Sequence, residues 1–327
     1  MKWIFALFFC TAAWAHQMEL FTYWVENAGD DYFGGGLPGM IRKRLKERDW
    51  QIHPLGLDKL EKGALESDYW VLWSFGAKAK KFDLSRLPKE KLALFLWEPP
   101  TVEIEGYDPQ VQARFGKIFT WDDDLVDNVK FFKFHYPVLQ PRIEKIPAFK
   151  EKKFCTLVAT RLSSKFPKSL YQEREKTIRF FEDKRGEFDL YGRNWEKRKF
   201  KNYRGAIGDK IAVLKEYKFC ICYENTRDMK GYITEKIFDC FAAGCVPIYW
   251  GASNVTDYIP AETFIDRRKF SNVKRLYMFL KSLSQDDYQK YLDAAAAFLK
   301  SEKAQVFSNE NFVNTFIDHL TTQKPSS

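Results

Sequence analysis

The sequence is short of the residues that covalent catalysis most often uses. Its 327 residues include only four His and six Cys. No Ser-His or Cys-His arrangement stands out, so the sequence predicts no nucleophilic triad. Cys10 lies in an apolar N-terminal segment that resembles a cleaved leader, and the five remaining Cys are an odd number. A disulfide framework is therefore not predicted.

The cysteines also lack the pattern of a metal site. Cys220 and Cys222 alternate along a predicted strand, while Cys240 and Cys245 lie in apolar helix and strand context. A Cys-x-Cys pair with no second ligand pair and no nearby His cluster favours core packing over zinc binding.

Long apolar runs are absent after residue 15, so no later segment is predicted to span a membrane. The first fifteen residues, MKWIFALFFCTAAWA, combine one basic residue, an apolar run and a final Ala-Trp-Ala, as in a cleaved signal peptide. A buried N-terminal strand and a short membrane anchor remain open for residues 1–15. We predict a location in the secretory pathway or cell envelope, membrane-associated or lumenal, with the cytoplasm as the alternative.

What the sequence does contain is a large apolar and basic fraction. Hydrophobic residues make up 45% and aromatic residues 17%, which excludes a disordered chain. The length of 327 residues favours two domains. The formal charge is +9 and suits an anionic ligand, but the basic residues are interleaved with acids, as in EKRKFK at 196–201. Such runs are typical of solvated faces, and nucleic acid binding is not favoured.

Short apolar runs alternate with segments of helix length, which predicts parallel α/β sheets. A Pro- and Lys-rich passage at 141–153 interrupts the pattern and is the predicted linker. The predicted domains are 16–150 and 151–320, followed by a polar tail at 321–327. The predicted strands are 18–25, 69–74, 92–97, 117–121, 154–159, one ending at 189–192, 219–223 and 246–250.

The segment 217–260 predicts one complete βαβ unit. A short apolar run is followed by a polar loop and by a helix that Thr234 can cap and Gly244 can end. The loop opens at the carboxyl end of a strand, where ligands of such sheets bind, and a helix N-terminus attracts anions. Lys236 in the first helical turn adds a full positive charge. A solvated helix lysine is the alternative.

Three motifs in this region, with looser support upstream, resemble the α-1,3-fucosyltransferases of glycosyltransferase family 10. The motifs are Tyr223-Glu224-Asn225-Thr226, then Gly231-Tyr232-Ile233-Thr234-Glu235-Lys236-Ile237, and then Ala243 to Gly251 with Asn254. Some 35 residues match closely, and the first half of the chain matches only around Trp97-Glu98-Pro99 and weakly at 119–121. The resemblance implies two Rossmann-like domains of the GT-B type, with parallel sheets that face a central cleft.

The resemblance also implies donor-binding residues. Asn225 and Glu235 would contact sugar and ribose hydroxyls, and Tyr232 would pack or hydrogen-bond near the donor. Lys236 and Arg174 would reach the diphosphate. The weaker donor-binding candidates are Arg193, Tyr191 and Glu224. From the residues alone, Glu235 can instead be an acid that stabilises a helix N-terminus, and Arg174 can be part of an exposed ion pair.

Glu98 is the predicted catalytic base. It ends the apolar strand at 92–97 and is followed by Pro99 and Pro100, which place its carboxylate at the carboxyl edge of the sheet. Partial desolvation beside Trp97 would raise its pKa towards a value useful for proton transfer. The family has Ser where this chain has Pro99, so the loop geometry departs from the family pattern. A strand-end salt bridge is the alternative.

Asp122-Asp123-Asp124 contains the D-x-D pattern of metal-dependent glycosyltransferases, but three acids after a strand also form turns and helix caps. Because basic residues are already available for the phosphates, we favour the turn or cap and predict no metal site. Asn254-Val255-Thr256 fits a glycosylation sequon, but it lies within the resembling motif and is interpreted as structural.

The resulting prediction is an inverting transferase that moves L-fucose from GDP-β-L-fucose to a glycan hydroxyl, α-1,3 to N-acetylglucosamine or glucose. Its partners would be GDP-fucose, an oligosaccharide or glycoconjugate acceptor and a membrane surface, with no required cofactor. A GT-B transferase that uses another nucleotide sugar and a non-catalytic glycan-binding protein are the alternatives.

Overall fold

The computed structural model describes residues 16–21, 29–54, 67–76, 79–81 and 83–321. The predicted leader at 1–15 and residues 322–327 of the predicted tail lie outside this part, whereas Thr321 ends the last helix. Within the described ranges, no helix is both long enough and apolar enough to cross a membrane.

The first half of the chain forms a six-stranded parallel sheet. Its strands are β1 (His16–Phe21), β2 (Trp50–Pro54), β3 (Tyr69–Leu72), β4 (Leu92–Leu96), β5 (Lys117–Thr120) and β6 (Phe131–Lys133), in the order β2-β1-β3-β4-β5-β6. Every residue of β3, β4 and β5 is buried. Continuous apolar runs form these strands because both faces of the sheet are covered.

The second half forms another six-stranded parallel sheet. Its strands are β7 (Lys153–Val158), β8 (Phe188–Tyr191), β9 (Tyr203–Gly205), β10 (Tyr217–Tyr223), β11 (Val246–Trp250) and β12 (Ile265–Asp266), in the order β12-β11-β10-β7-β8-β9. The strand order reverses between β7 and β10, which pair directly. The carboxyl ends of these two strands therefore form the topological switch point where doubly wound folds bind ligands.

Helices cover both sheets. The α-helices are α1 (Gly36–Lys46), α2 (Pro109–Gln112), α3 (Tyr171–Phe181), α4 (Lys210–Leu214), α5 (Glu235–Ala243), α6 (Val255–Tyr258), α7 (Val273–Ser282), α8 (Gln285–Leu299) and α9 (Asn309–Thr321). The 3₁₀ turns are Gly29–Gly34, Ala79–Lys81, Leu84–Arg86, Lys89–Lys91, Glu105–Tyr107, Ala261–Thr263, Arg267–Lys269 and Glu302–Phe307.

The last helix, α9, packs on the first sheet although it follows the second in sequence. The Phe316 ring lies 5.5 Å from Phe95 and 6.1 Å from Trp73, and Phe312 belongs to the same cluster. Arg48 of the first half also binds Asp318 of α9 at 2.7 Å. The predicted second domain, 151–320, includes α9, whereas the apolar face of this helix is buried against the first sheet. The domain boundary near residue 150 stays a prediction.

The predicted α/β class with two parallel sheets is confirmed. The predicted cap and end of α5 are also confirmed, since Thr234 accepts a hydrogen bond from the Lys236 N–H and Gly244 adopts φ 63°. The sequence analysis missed α7 because its buried residues, Leu276 and Leu280, lie in a charged stretch.

Candidate active site

The loop after β10 is built around the carboxylate of Glu224. Glu224 is completely buried and accepts hydrogen bonds from the N–H and the hydroxyl of Thr234, at 2.9 and 2.8 Å. The Lys236 ammonium lies 3.2 Å from its Oε2. Both oxygens are thus used to hold the first turn of α5. The carboxylate lies beneath the site and positions the residues above it, and the direct contact of Glu224 with a donor stays a prediction.

Lys236 lies between two carboxylates. Its ammonium is 3.2 Å from Glu224 and 3.4 Å from Glu235 Oε1. Burial disfavours the charged amine, but these carboxylates outweigh burial and raise the pKa of Lys236 above its ordinary value. The amine therefore stays protonated at the N-terminus of α5, where backbone N–H groups also favour an anion.

Arg174 and Asn225 adjoin this site from α3 and from the end of β10. The Arg174 guanidinium donates to the Tyr223 carbonyl at 2.7 Å and to Asn225 Oδ1 at 3.0 Å. Arg174 is only 4% exposed, so the alternative of an exposed ion pair is wrong. Its acidic neighbours bind other residues, since Glu173 pairs with Lys176 and Glu175 with Arg161.

A cavity of about 370 Å³ opens at the switch point of the second sheet. Five of the predicted donor-binding residues line it: Arg174, Arg193, Asn225, Glu235 and Lys236. Gly192, at φ 127°, lets the loop after β8 approach the end of β7, because a Cβ atom there would lie 1.9 Å from the Ala159 carbonyl oxygen. The cavity therefore collects three predicted cations at the carboxyl ends of β7, β8 and β10.

Tyr191 is placed differently from the other predicted donor residues. Its hydroxyl is 2.9 Å from the Tyr217 hydroxyl, and its ring packs against the core around α5. It does not line this cavity, whereas its neighbours Gly192 and Arg193 do. The donor contact by Tyr191 stays a prediction, and in the structure its ring packs under the site.

A second cavity, of about 450 Å³, joins the two halves of the molecule. The first half contributes Leu37, Trp97, Glu98 and Tyr136 with its neighbours, and the second contributes Asn225, Tyr232, Glu235 and Lys236 with Thr234. Leu37 comes from the Gly-rich segment at 34–39. Asn225, Glu235 and Lys236 line both cavities, so the two adjoin at these residues, and together they are called the cleft.

The main chain at Glu98 is fixed by hydrogen bonds, and the pKa of its carboxyl group is shifted by its surroundings. Tyr107 donates to the Glu98 carbonyl at 2.9 Å, and Tyr136 donates to the Trp97 carbonyl. Burial, together with the nearby Glu103 carboxylate, raises the pKa of Glu98 from 4.5 to about 7, although Lys236 opposes the shift. The upward shift expected from the sequence is present, and such a carboxyl can exchange a proton near neutral pH.

Tyr232 is buried between the two halves. Its ring centroid lies 4.6 Å from that of Trp121, and the ring also contacts Tyr136. The preceding Gly231 has φ 78°, and a Cβ atom there would lie 2.3 Å from the Trp121 carbonyl oxygen. Close contact between the halves therefore requires glycine at this position, and the contact orients Tyr232 into the shared cleft.

The three acids at 122–124 form a turn that binds the other half of the molecule. Asp123 accepts from Lys133 at 2.5 Å, from Tyr258 at 2.8 Å and, through its other oxygen, from Asn254 at 2.8 Å. Asp124 pairs with Lys230 at 2.7 Å. The predicted turn is confirmed, but these bonds across the cleft were not expected. Asn254 is structural as interpreted, since its side-chain oxygen also accepts from the Gly231 N–H at 2.9 Å.

Sequence reasoning missed Lys210, which lines the first cavity. Its ammonium lies 2.7 Å from Asp239 and 3.8 Å from Glu235. No motif marked it, because it lies in a polar stretch before β10 and reaches the site only through the packing of α4 on α5.

The cysteines are part of the core, as predicted. Cys155, Cys220, Cys222, Cys240 and Cys245 are all buried free thiols. Across the described ranges, no group of three or more His, Cys, Asp or Glu side chains is arranged to hold a metal ion.

Comparison with known proteins supports the assignment of this region. Residues 148–321 match glycosyltransferase family 10 (fucosyltransferase), C-terminal part. An alpha-(1,4)-fucosyltransferase of Arabidopsis thaliana is 41% identical over 81 residues, which are 24% of this chain and 20% of the relative. The 4-galactosyl-N-acetylglucosaminide 3-alpha-L-fucosyltransferase 9 of Mus musculus is 28% identical over 214 residues, 63% of this chain and 54% of the relative. The chain thus spans about half or less of these relatives.

Solved structures share the fold. An alpha1,3-fucosyltransferase crystallised with GDP-fucose aligns with a TM-score of 0.54 and 16% identity, over 95% of this chain and 93% of that chain. A glycosyltransferase from Rickettsia africae aligns with a TM-score of 0.57 and 11% identity, over 94% of this chain and 98% of that one. This likeness confirms the predicted GT-B arrangement of two Rossmann-like domains.

Proposed function

The chain belongs to glycosyltransferase family 10, and from that premise we propose that it is an inverting fucosyltransferase that uses GDP-β-L-fucose. The acceptor would be a hydroxyl group of an oligosaccharide or glycoconjugate, in α-1,3 linkage to N-acetylglucosamine or glucose. The relatives named as fucosyltransferases and the fold shared with a GDP-fucose complex support the donor. The location in a secretory compartment and the association with a membrane surface remain part of this proposal.

One observation carries the proposal. Glu98, at the end of β4, and Lys236, in the first turn of α5, line the same cavity from opposite halves of the molecule. A carboxyl whose pKa is raised towards neutrality thus shares a cleft with an ammonium at a helix N-terminus. Proton removal and stabilisation of a leaving diphosphate are the two tasks that sugar transfer requires.

The chemistry would be a single displacement. Glu98 takes the proton of the acceptor hydroxyl while that oxygen forms a bond to the anomeric carbon of fucose. The bond from this carbon to the β-phosphate oxygen breaks on the opposite face, and its electron pair leaves with GDP. Lys236, Arg174 and the N-terminus of α5 stabilise the charge that grows on the diphosphate.

The residues of the cleft supply cations of their own for this leaving group. Arg174, Arg193 and Lys236 line the first cavity. In the acidic turn, Asp123 binds Lys133 and Asn254, Asp124 binds Lys230, and Asp122 accepts from the Asp124 N–H at 3.1 Å. These contacts support the proposal that the reaction needs no metal ion.

Transfer assays with purified protein test the function. GDP-fucose is offered with a panel of β-galactosyl and N-acetylglucosaminyl acceptors, and product anomers are identified by NMR. We expect α-linked fucosides. Glu98→Gln should lower kcat by about 10² to 10⁴ through loss of the general base. Lys236→Ala should abolish transfer, because it removes the diphosphate cation and leaves Glu224 buried and unpaired.

Matched controls separate these roles from general damage. Glu90→Gln alters an exposed carboxylate of the first half, and Lys215→Ala alters a partly exposed lysine beside α4. Both should retain wild-type rates. Transfer or hydrolysis with another nucleotide sugar but not with GDP-fucose would contradict the proposed donor. Glycan binding that is unchanged in Glu98→Gln and Lys236→Ala, without turnover, would identify a non-catalytic protein.

A further inference from the structure

Lys210 is a cation of the first cavity whose partners lie on a different helix. It is the first residue of α4, and its side chain is 27% exposed. Its ammonium lies 2.7 Å from Asp239 Oδ2 and 3.8 Å from Glu235 Oε1, both on α5. Asp239 follows Glu235 by one helical turn, so a single ammonium reaches both carboxylates.

Asp239 is the anchor of this arrangement. Its side chain is only 12% exposed, and its second oxygen, Oδ1, accepts a hydrogen bond from Gln140 Nε2 at 2.7 Å. Charges that are shielded from water attract each other more strongly than exposed ones. Asp239 therefore fixes the ammonium of Lys210 at the wall of the cavity, where it faces Glu235.

Glu235 is the exposed member of the group. Half of its side chain is accessible, and it lines both cavities of the cleft. Two ammonium groups approach the same oxygen, Oε1, with Lys236 at 3.4 Å and Lys210 at 3.8 Å. Burial opposes ionisation of Glu235, but Lys236 and Lys210 outweigh it and lower its pKa to about 2. The carboxylate is thus held charged and oriented from two sides.

We propose that Lys210 is a positioning residue for donor recognition, which orients the Glu235 carboxylate towards the hydroxyl groups of the donor sugar. This inference rests on the proposed function, in which Lys236 and Arg174 meet the diphosphate, and on the contact of Glu235 with the donor sugar that the family resemblance implies. Because Lys210 acts through Glu235, it should strengthen binding of the sugar and not of the nucleotide.

Binding of two probes tests this division. Isothermal titration calorimetry measures the affinity of GDP and of GDP-fucose for the wild type, Lys210→Met and Lys210→Arg. Loss of an oriented, charge-assisted contact should weaken GDP-fucose binding by about tenfold in Lys210→Met. Binding of GDP should stay within about twofold, which also shows that the variant is folded. Lys210→Arg retains the charge and should recover most of the affinity for GDP-fucose.

Further variants assign the effect to Glu235. In a double-mutant cycle, Lys210→Met added to Glu235→Gln should change GDP-fucose binding little, because its target carboxylate is already gone. Asp239→Asn should weaken GDP-fucose selectively and less than Lys210→Met does. Lys215→Met, at the end of the same helix, is the matched control and should bind both probes as the wild type does.

Three outcomes overturn the inference. Equal weakening of GDP and GDP-fucose in Lys210→Met would show that Lys210 meets the nucleotide itself. Unchanged binding of both probes would show that it has no role. Additive effects in the cycle with Glu235→Gln would show that it acts independently of Glu235. A wild type that binds neither GDP nor GDP-fucose would instead reject the proposed function.

Discussion

Asp123 and Asn254 join the two halves of the molecule across 131 residues of sequence. The Asp123 carboxylate accepts a hydrogen bond from the Asn254 amide at 2.8 Å, and the same amide group accepts from the Gly231 N–H at 2.9 Å. Gly231 begins the segment that carries Tyr232, Glu235 and Lys236. A turn of the first half thus helps to place the donor side of the cleft.

The Asp123→Ala variant should therefore be destabilised. It leaves Lys133, Tyr258 and Asn254 without their shared acceptor, and unsatisfied donors of this kind cost about 1–3 kcal/mol. Urea denaturation followed by tryptophan fluorescence measures the change. Asp124→Ala is the control. The Asp124 side chain is more than half exposed, so its ion pair with Lys230 should contribute at most about 1 kcal/mol to the free energy of unfolding. Equal losses in the two variants would argue against the role given to Asp123.

Transfer activity should survive treatment with EDTA. The phosphates of the donor are met by Arg174 and Lys236 in the proposed mechanism. Asp123 and Asp124 pair with Lys133 and Lys230, and Asp122 accepts from the Asp124 N–H. The measurement is the initial rate after chelation and after dialysis. Complete loss that manganese restores would show that Asp122 to Asp124 bind a metal during the reaction.

The rate should fall on the acid side of pH 7. Glu98 must be deprotonated to act as a base, and its pKa is raised to about 7, so kcat/KM should decrease about tenfold for each pH unit below that value. Glu103→Gln removes the neighbouring carboxylate that contributes to the shift, and it should move this limb to lower pH. A profile of kcat/KM against pH for both proteins measures the effect. An acid limb that stays in place in Glu103→Gln would exclude this coupling.

The stability of the fold should also depend on the ionisation of Glu98, but it should fall as the pH rises, whereas activity increases. The folded-state pKa of Glu98 lies above its ordinary value of 4.5, so folding disfavours the ionised form. Stability is consequently lost as the pH rises from about 4.5 to about 7. Glu98→Gln cannot ionise, and at pH 8 it should be more stable than the wild type by about 1–3 kcal/mol.

The pH dependence of that difference is the control. Below pH 4 both side chains are neutral, and the two proteins should unfold at the same urea concentration. A variant that is less stable than the wild type at pH 8 would show that the Glu98 carboxylate is favourably paired, as in the salt-bridge alternative.

Much of the donor half of the site could be predicted because it is local in sequence. Thr234 caps α5 and Gly244 ends it through contacts within a few residues, and the apolar runs on both sides form β10 and β11. Short-range hydrogen bonds and burial of continuous apolar runs decide such elements. Asn225, Glu235 and Lys236 then follow at the expected edge of the sheet.

Residues whose roles depend on distant partners were harder to assign. Glu224 and Tyr191 belong to matching segments, but packing places the first under the helix and the second in the core. Lys210 and Asp239 carry no motif, and they meet only because α4 packs against α5. The spacing of apolar residues predicts which face of a helix is buried, but it does not show which other helix or sheet packs against that face.

The α/β class, the βαβ unit at 217–260 and the family resemblance could be predicted from the sequence, since all three rest on patterns within short stretches of chain. Tertiary packing was needed to bring Glu98 and Lys236 to one cavity, to join Asp123 to Asn254 and to cover the first sheet with α9. These contacts join segments separated by more than a hundred residues. They depend on how two sheets and their helices bury apolar surface together, which no local pattern encodes.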